Sequence, residues 1–160
     1  MKLIVVPVDF SGATRSVVDA AVELAGASRA RLVILHVRQP PAVVADYGPP
    51  IGGFLMPVGR PGAGASREIG RWRRYVEARH VGVETAEVDG ASPSRVIAAE
   101  AERRGADCIV MGSHGHTALY DLLVGGTASG VLKGAPCPVV IVPARRKAMR
   151  SKVSREAAHA

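Results

Sequence analysis

Cysteine is scarce in this 160-residue chain: Cys108 and Cys137 are the only two, and both stand in apolar runs that read as buried strands or strand starts. That scarcity excludes a disulfide-stapled domain and reads as free core thiols in a reducing, cytoplasmic setting. Long apolar runs are also missing. No uncharged stretch reaches the roughly 20 residues that span a bilayer, and Pro7 and Asp9 interrupt the first apolar run before a signal-peptide core could form. Net positive charge is small outside the C-terminal end. The net charge is +7, but residues 145–160 carry six basic residues against Glu156, hence +5, and leave +2 for everything before them. A basic face for nucleic acid is therefore poorly supported. Two catalytic signatures are absent as well. No Gly-x-x-x-x-Gly-Lys-Ser/Thr aims a lysine at terminal phosphates, and no Gly-x-Ser-x-Gly elbow presents a nucleophile after a strand.

What remains is an ordinary globular composition, 48% apolar and 22% charged, of a length that fits one domain with a genuine core. Leu3–Val6, Arg31–Val37, Asp107–Met111 and Pro138–Val142 are β-branched and aliphatic runs, the pattern of strands buried on both faces of a parallel sheet. Val81–Val88 alternates and suits a strand nearer the sheet edge. Between them lie helical spacings. Thr14 to Ala25 has Thr14 as cap and Gly26 as stop; Glu68 to Arg79 sets Ile69, Trp72, Tyr75 and Val76 on one face. Pro93 to Arg104 follows a Ser92 cap and ends at Gly105; Thr127 to Lys133 ends at Gly134-Ala135-Pro136. Strands alternating with helices predict a doubly wound α/β sandwich with a five-stranded parallel sheet and helices on both faces.

Two segments stand apart. Residues 40–66 hold six prolines and six glycines, which predicts a loop, either a lid or a loosely ordered excursion. Gly62 and Gly64 follow no strand, so they are not a dinucleotide fingerprint. Residues 144–160 form a basic tail without a steady apolar stripe, a surface for acidic partners.

The densest chemistry lies between Met111 and Thr127, MGSHGHTALYDLLVGGT. Gly112 and Gly115, then Gly125 and Gly126 after nine intervening residues, allow sharp turns and close approach to a ligand. If Gly126 and Thr127 open a helix, their amides and the helix dipole face whatever the loop encloses, and an anion such as phosphate fits there. His114 and His116 lack a third ligand at metal-site spacing. Asp9, just past the first strand, either accepts hydrogen bonds from a ligand or orders the turn into the first helix.

Gly-x-x-Gly, nine residues, then Gly and a small hydroxyl residue resembles the ATP-binding signature of the universal stress protein family, over roughly residues 2 to 143. Gly112, Gly115 and Gly125 stand at its glycine positions. Gly126 stands where the family usually has Ser or Thr, with Thr127 next, and His116 where it often has Arg. The resemblance implies an adenine nucleotide alpha hydrolase-like fold with strand order 3-2-1-4-5 in a domain spanning 1–143. It implies a nucleoside pocket from Pro7, Asp9, Val37 and Met111, and phosphates held by Gly112, Gly115, Gly125, Gly126 and Thr127. It further implies ATP, with or without Mg2+, as ligand of a cytoplasmic stress-response module, and a homodimer through Val139–Val142. Dedicated catalysis is not expected, although weak ATP hydrolysis stays open. A nucleotide-independent dimeric interaction module of the same fold is the alternative.

Overall fold

The computed structural model describes residues 1–39, 63–113 and 126–143. Its elements are β1 (Leu3–Pro7), α1 (Thr14–Ser28), β2 (Arg31–Arg38), α2 (Ala63–Glu77), β3 (Val83–Asp89), α3 (Pro93–Arg104), β4 (Cys108–Gly112), α4 (Gly126–Gly134) and β5 (Val139–Val142). The five strands form one parallel sheet in the order β3-β2-β1-β4-β5, as the resemblance implied. β1 lies at its centre, with Ile4 opposite Leu32 on one side and Cys108 on the other.

Side chains alternate across a strand, and here that alternation sorts the core into two layers. Ile4, Val6, Leu32, Ile34 and Val110 pack with Val17, Val18, Trp72 and Val76 of α1 and α2. Leu3, Val5, Val33, Leu35, Ile109 and Met111 pack with Ile97, Ala101, Ala128 and Val131 of α3 and α4. β1, β4 and the Leu32–Leu35 stretch of β2 are therefore apolar at successive positions because both faces are covered. Tyr75 donates to Asp19, tying α2 to α1, while the Arg79 guanidinium lies 3.5 Å above the Tyr75 ring. At the end of the sheet where the strands begin, the Asp107 carboxylate accepts from the backbone amides of Lys2 and Leu3. Those bonds hold its pKa below the usual range. On α3, the Arg103 guanidinium, with Arg104 beside it, holds the Glu100 carboxyl down at about 2, and Arg104 reaches on to Glu84 of β3.

Several boundaries differ from expectation for identifiable reasons. The loop expected through Ser66 gives way at Ala63, where α2 already begins. Ala63 and Ala65 are strong helix formers that offset Gly64, and the Ser66 hydroxyl is anchored on Glu87 at 2.8 Å. Gly26 does not stop α1. The helix runs to Ser28, whose hydroxyl bonds to the Leu24 carbonyl, and Arg29 takes the left-handed position at φ 55. Thr14 is the first residue of α1 and Ala13 occupies the cap. By contrast Ser92 caps α3 in extended geometry, Pro93 follows, and Gly105 ends it at φ 61, as expected. Ser92 makes no side-chain cap bond and instead lies 3.4 Å from the Ser94 hydroxyl. Cys108 is buried, Cys137 is half-buried, and both are free thiols whose pKa burial raises.

Candidate functional site

In a parallel sheet every helix that follows a strand begins at the same end, the end where strands finish. Where the order of connection reverses, between β1 and β4, neighbouring crossovers leave on opposite faces and a crevice opens. A cavity of about 330 Å³ occupies that place, within the range of small-molecule sites. Its walls come from the ends of β1, β2 and β4 and the first turns of α1, α3 and α4.

Seven of the residues expected at a binding site line this cavity together: Pro7, Asp9, Val37, Met111, Gly112, Gly126 and Thr127. Gly115 and Gly125 lie outside the described residues, as do His114 and His116. Met111 and Val37 belong to the layer of α3 and α4 and offer apolar surface. Gly126 opens α4, and a side chain there would meet open space. The two readings of Asp9 turn out to be geometrically compatible. It lines the cavity, and its Oδ1 accepts from the Ser11 amide at 3.0 Å, holding the turn that leads into α1.

That turn is strained. Phe10 has φ 59, a left-handed conformation that a bulky residue rarely adopts. Its ring lies 4.4 Å from that of His36. His36 Nδ1 donates to the Val8 carbonyl at 2.9 Å, and the Val8 amide donates to the Leu35 carbonyl at 2.9 Å. These bonds fix the Pro7–Phe10 backbone against β2 and so place Asp9. Because a carbonyl only accepts, Nδ1 carries the proton and Nε2 is left to face elsewhere.

Sequence reasoning missed several lining residues, among them Thr14, His36, Gln39, Pro93 and Ser113. A usable signal existed for Pro93: Ser92-Pro93 marked a helix start, and all helix starts in this topology face one end. Ser113 is buried, with its amide on the Val142 carbonyl at 3.0 Å, a contact that depends on strand register rather than on local pattern.

The electrostatics favour a negative group. Three helix N-termini converge on the cavity, each with the positive end of its dipole, and none of α1, α3 and α4 has an acidic residue in its first turn. Asp9 is the only carboxylate lining the cavity among the described residues. No group of three metal-ligating side chains is found among them either, and none of the described helices is long and apolar enough to cross a membrane.

Known proteins fit this picture. The sequence model of the Universal stress protein family matches residues 1–143. Universal stress protein A homolog 1 of Coxiella burnetii is 30% identical over 144 residues, covering 88% of this chain and 95% of that protein. Universal stress protein MJ0531 of Methanocaldococcus jannaschii is 37% identical over 75 residues, a match that spans 47% of this chain and only 44% of that protein. The structure of the universal stress protein from Archaeoglobus fulgidus in complex with dAMP superimposes with a TM-score of 0.61 at 21% identity, covering 88% of this chain and 97% of that one. With a family match over residues 1–143 and a relative 30% identical along nearly its whole length, this chain belongs to the universal stress protein family.

Proposed function

We propose that the cavity binds ATP or a related adenine nucleotide, and that the protein is a cytoplasmic stress-response module whose occupancy alters its contacts with partners. The observation that carries this reading is the convergence of an apolar wall, one carboxylate and three helix N-termini on one cavity. A nucleotide has the matching parts. Val37 and Met111 take the base, Asp9 accepts from ribose hydroxyls, and the amides of Gly112, Gly126 and Thr127, with Gly115 and Gly125 of the glycine motif, surround phosphate. The dAMP held by the Archaeoglobus protein supports the ligand class. A single carboxylate is too little for an all-protein metal cage, so Mg2+ would enter with the phosphates. The role is that of a binding module rather than an enzyme: no lysine or arginine lines the cavity among the described residues. Calorimetric titration of ATP into the purified protein should give saturable binding, whereas no heat at millimolar ATP would remove the nucleotide reading. A parallel assay for released phosphate measures any hydrolysis.

The same reading includes a homodimer through Val139–Val142. β5 is an edge strand, and edges left bare invite pairing. Val140 of β5 is 37% exposed, and Leu132 of α4 is 48% exposed. Light scattering should report a dimer for the wild type and a monomer for Val140→Lys, because a charge on an edge strand blocks edge-to-edge pairing. A wild type that stays monomeric at working concentration rules the dimer out. A dimer that forms while ATP fails to bind would promote the nucleotide-independent interaction module instead.

A further inference from the structure

Thr14 is 3% exposed, yet its Oγ1 has no hydrogen-bond partner among the described residues. Buried polar groups in native proteins are almost always partnered, so an orphan of this kind calls for an explanation. A threonine in a helix ordinarily donates to the carbonyl four residues back. Here that carbonyl belongs to Phe10, which sits at φ 59 outside the helix, and the bond is not made. The nearby Ser11 oxygens serve the backbone instead: the carbonyl accepts from the Thr14 amide at 3.1 Å and the hydroxyl from the Ala13 amide at 3.4 Å.

The hydroxyl lies at the positive end of the α1 dipole. α1 opens at Ala13, which has no side-chain oxygen to cap it, and no acid stands in its first turn. A helix start and an orphaned hydroxyl together suit a negatively charged oxygen. Ser11, Ala13 and Thr14 all line the cavity. Their position within it is specific. Thr14 sits one turn before Val17, whose side chain belongs to the layer of α1 and α2, whereas Val37 and Met111 belong to the opposite layer. A ligand that touches both groups must cross the edge of the sheet where the strands end.

We propose that the Thr14 hydroxyl, at the positive start of α1, forms a subsite for a phosphate oxygen, on the opposite side of the sheet edge from the apolar wall of Val37 and Met111. This inference rests on the nucleotide reading above and adds a second anchoring point to it. The nucleotide then straddles the sheet edge, with its base on the α3/α4 side and a phosphate reaching α1. Thr14 is kept at a cost to the ligand-free fold because its hydroxyl is completed only when the site is filled.

The test uses full-length Thr14→Val, which keeps the shape and removes the hydroxyl, and Thr14→Ser, which keeps the hydroxyl. Urea unfolding without ligand is combined with calorimetric titration of ATP, AMP and adenosine. Thr14→Val should unfold at a urea concentration no lower than the wild type, since valine strands no polar atom. It should bind ATP and AMP roughly 10-fold more weakly, the loss expected for one hydrogen bond to a charged group. Adenosine affinity should not change, and Thr14→Ser should bind ATP like the wild type. Unchanged ATP affinity in Thr14→Val overturns the subsite while leaving the nucleotide reading in place. An equal loss for adenosine overturns the phosphate assignment. Failure of the wild type to bind ATP at all defeats the nucleotide reading and this subsite with it. If valine prevents folding, Thr14→Ala carries the same comparison.

Discussion

Gly130→Val should lower the unfolding free energy by about 1–3 kcal/mol, the usual cost of forcing extra atoms into a packed interface, and should weaken ATP binding as well. Gly130 lies in α4 against α3, and a Cβ placed on it would stand 2.7 Å from both the Cβ and the hydroxyl of Ser94. Such contacts cannot be relieved by swinging away the tip of a long side chain, because Ser94 Cβ is fixed to the α3 backbone. The helices must separate. Gly126, one turn before Gly130, would be carried with α4, and the cavity would lose the geometry of that helix start. Propensity alone argues the other way, since almost any residue is a better helix former than glycine. Gly26 isolates that term: it lies inside α1 with no atom within 4 Å of an added Cβ, so Gly26→Ala should stabilise by roughly 0.5–1 kcal/mol. Urea unfolding measures both, and removing the Ser94 side chain should restore part of the Gly130→Val loss. Purely additive effects of Gly130→Val and Ser94→Gly would sink the steric account.

The second large effect is expected at Asp9. If its carboxylate accepts from ribose hydroxyls, Asp9→Ala removes a charge-assisted hydrogen bond of about 1.5–3 kcal/mol, which is roughly a 10- to 150-fold loss of ATP affinity. Asp9 also holds the Ser11 amide, so alanine loosens the turn in addition. Asp9→Asn separates the two contributions, because an amide oxygen can still accept from Ser11 while the negative charge is gone. Asn should therefore keep the stability of the wild type and bind ATP with an intermediate affinity. Calorimetry with all three proteins decides the matter; equal affinities in wild type and Asp9→Ala would confine Asp9 to ordering the turn.

Much of the architecture was legible because it is written in local pattern. Ile4, Val6, Ile34 and Val110 face one helical layer and Leu3, Val5, Leu35 and Ile109 the other, so these stretches had to be apolar at successive positions, and that is what reveals a parallel sheet in a bare sequence. Pro93 and Gly105 marked the ends of α3 for equally local reasons. The start of α2 was not legible, because the prolines and glycines before it dominate the composition while the contact that anchors it, Ser66 to Glu87, spans 21 residues. Gly26 misled for a related reason: a helix stops where the chain can turn left-handed, and Arg29 does so three residues later. At the candidate site, Asp9, Gly112 and Gly126 of the sequence pattern stand together at the end of the sheet where the strands finish. Thr14 and His36 did not announce themselves, since their importance follows from the strained Phe10 turn and the packing of β1 on β2.

The parallel sheet also divides the chain between two chemical tasks. At the pole where strands begin, Asp107 clamps Lys2 and Leu3, a contact that any ligand leaves untouched. At the opposite pole β1, β2 and β4 end, α1, α3 and α4 begin, and the cavity opens between them. Substitutions at exposed lining positions such as Gln39 and Thr127 therefore alter the cavity without touching the clamp at the far pole.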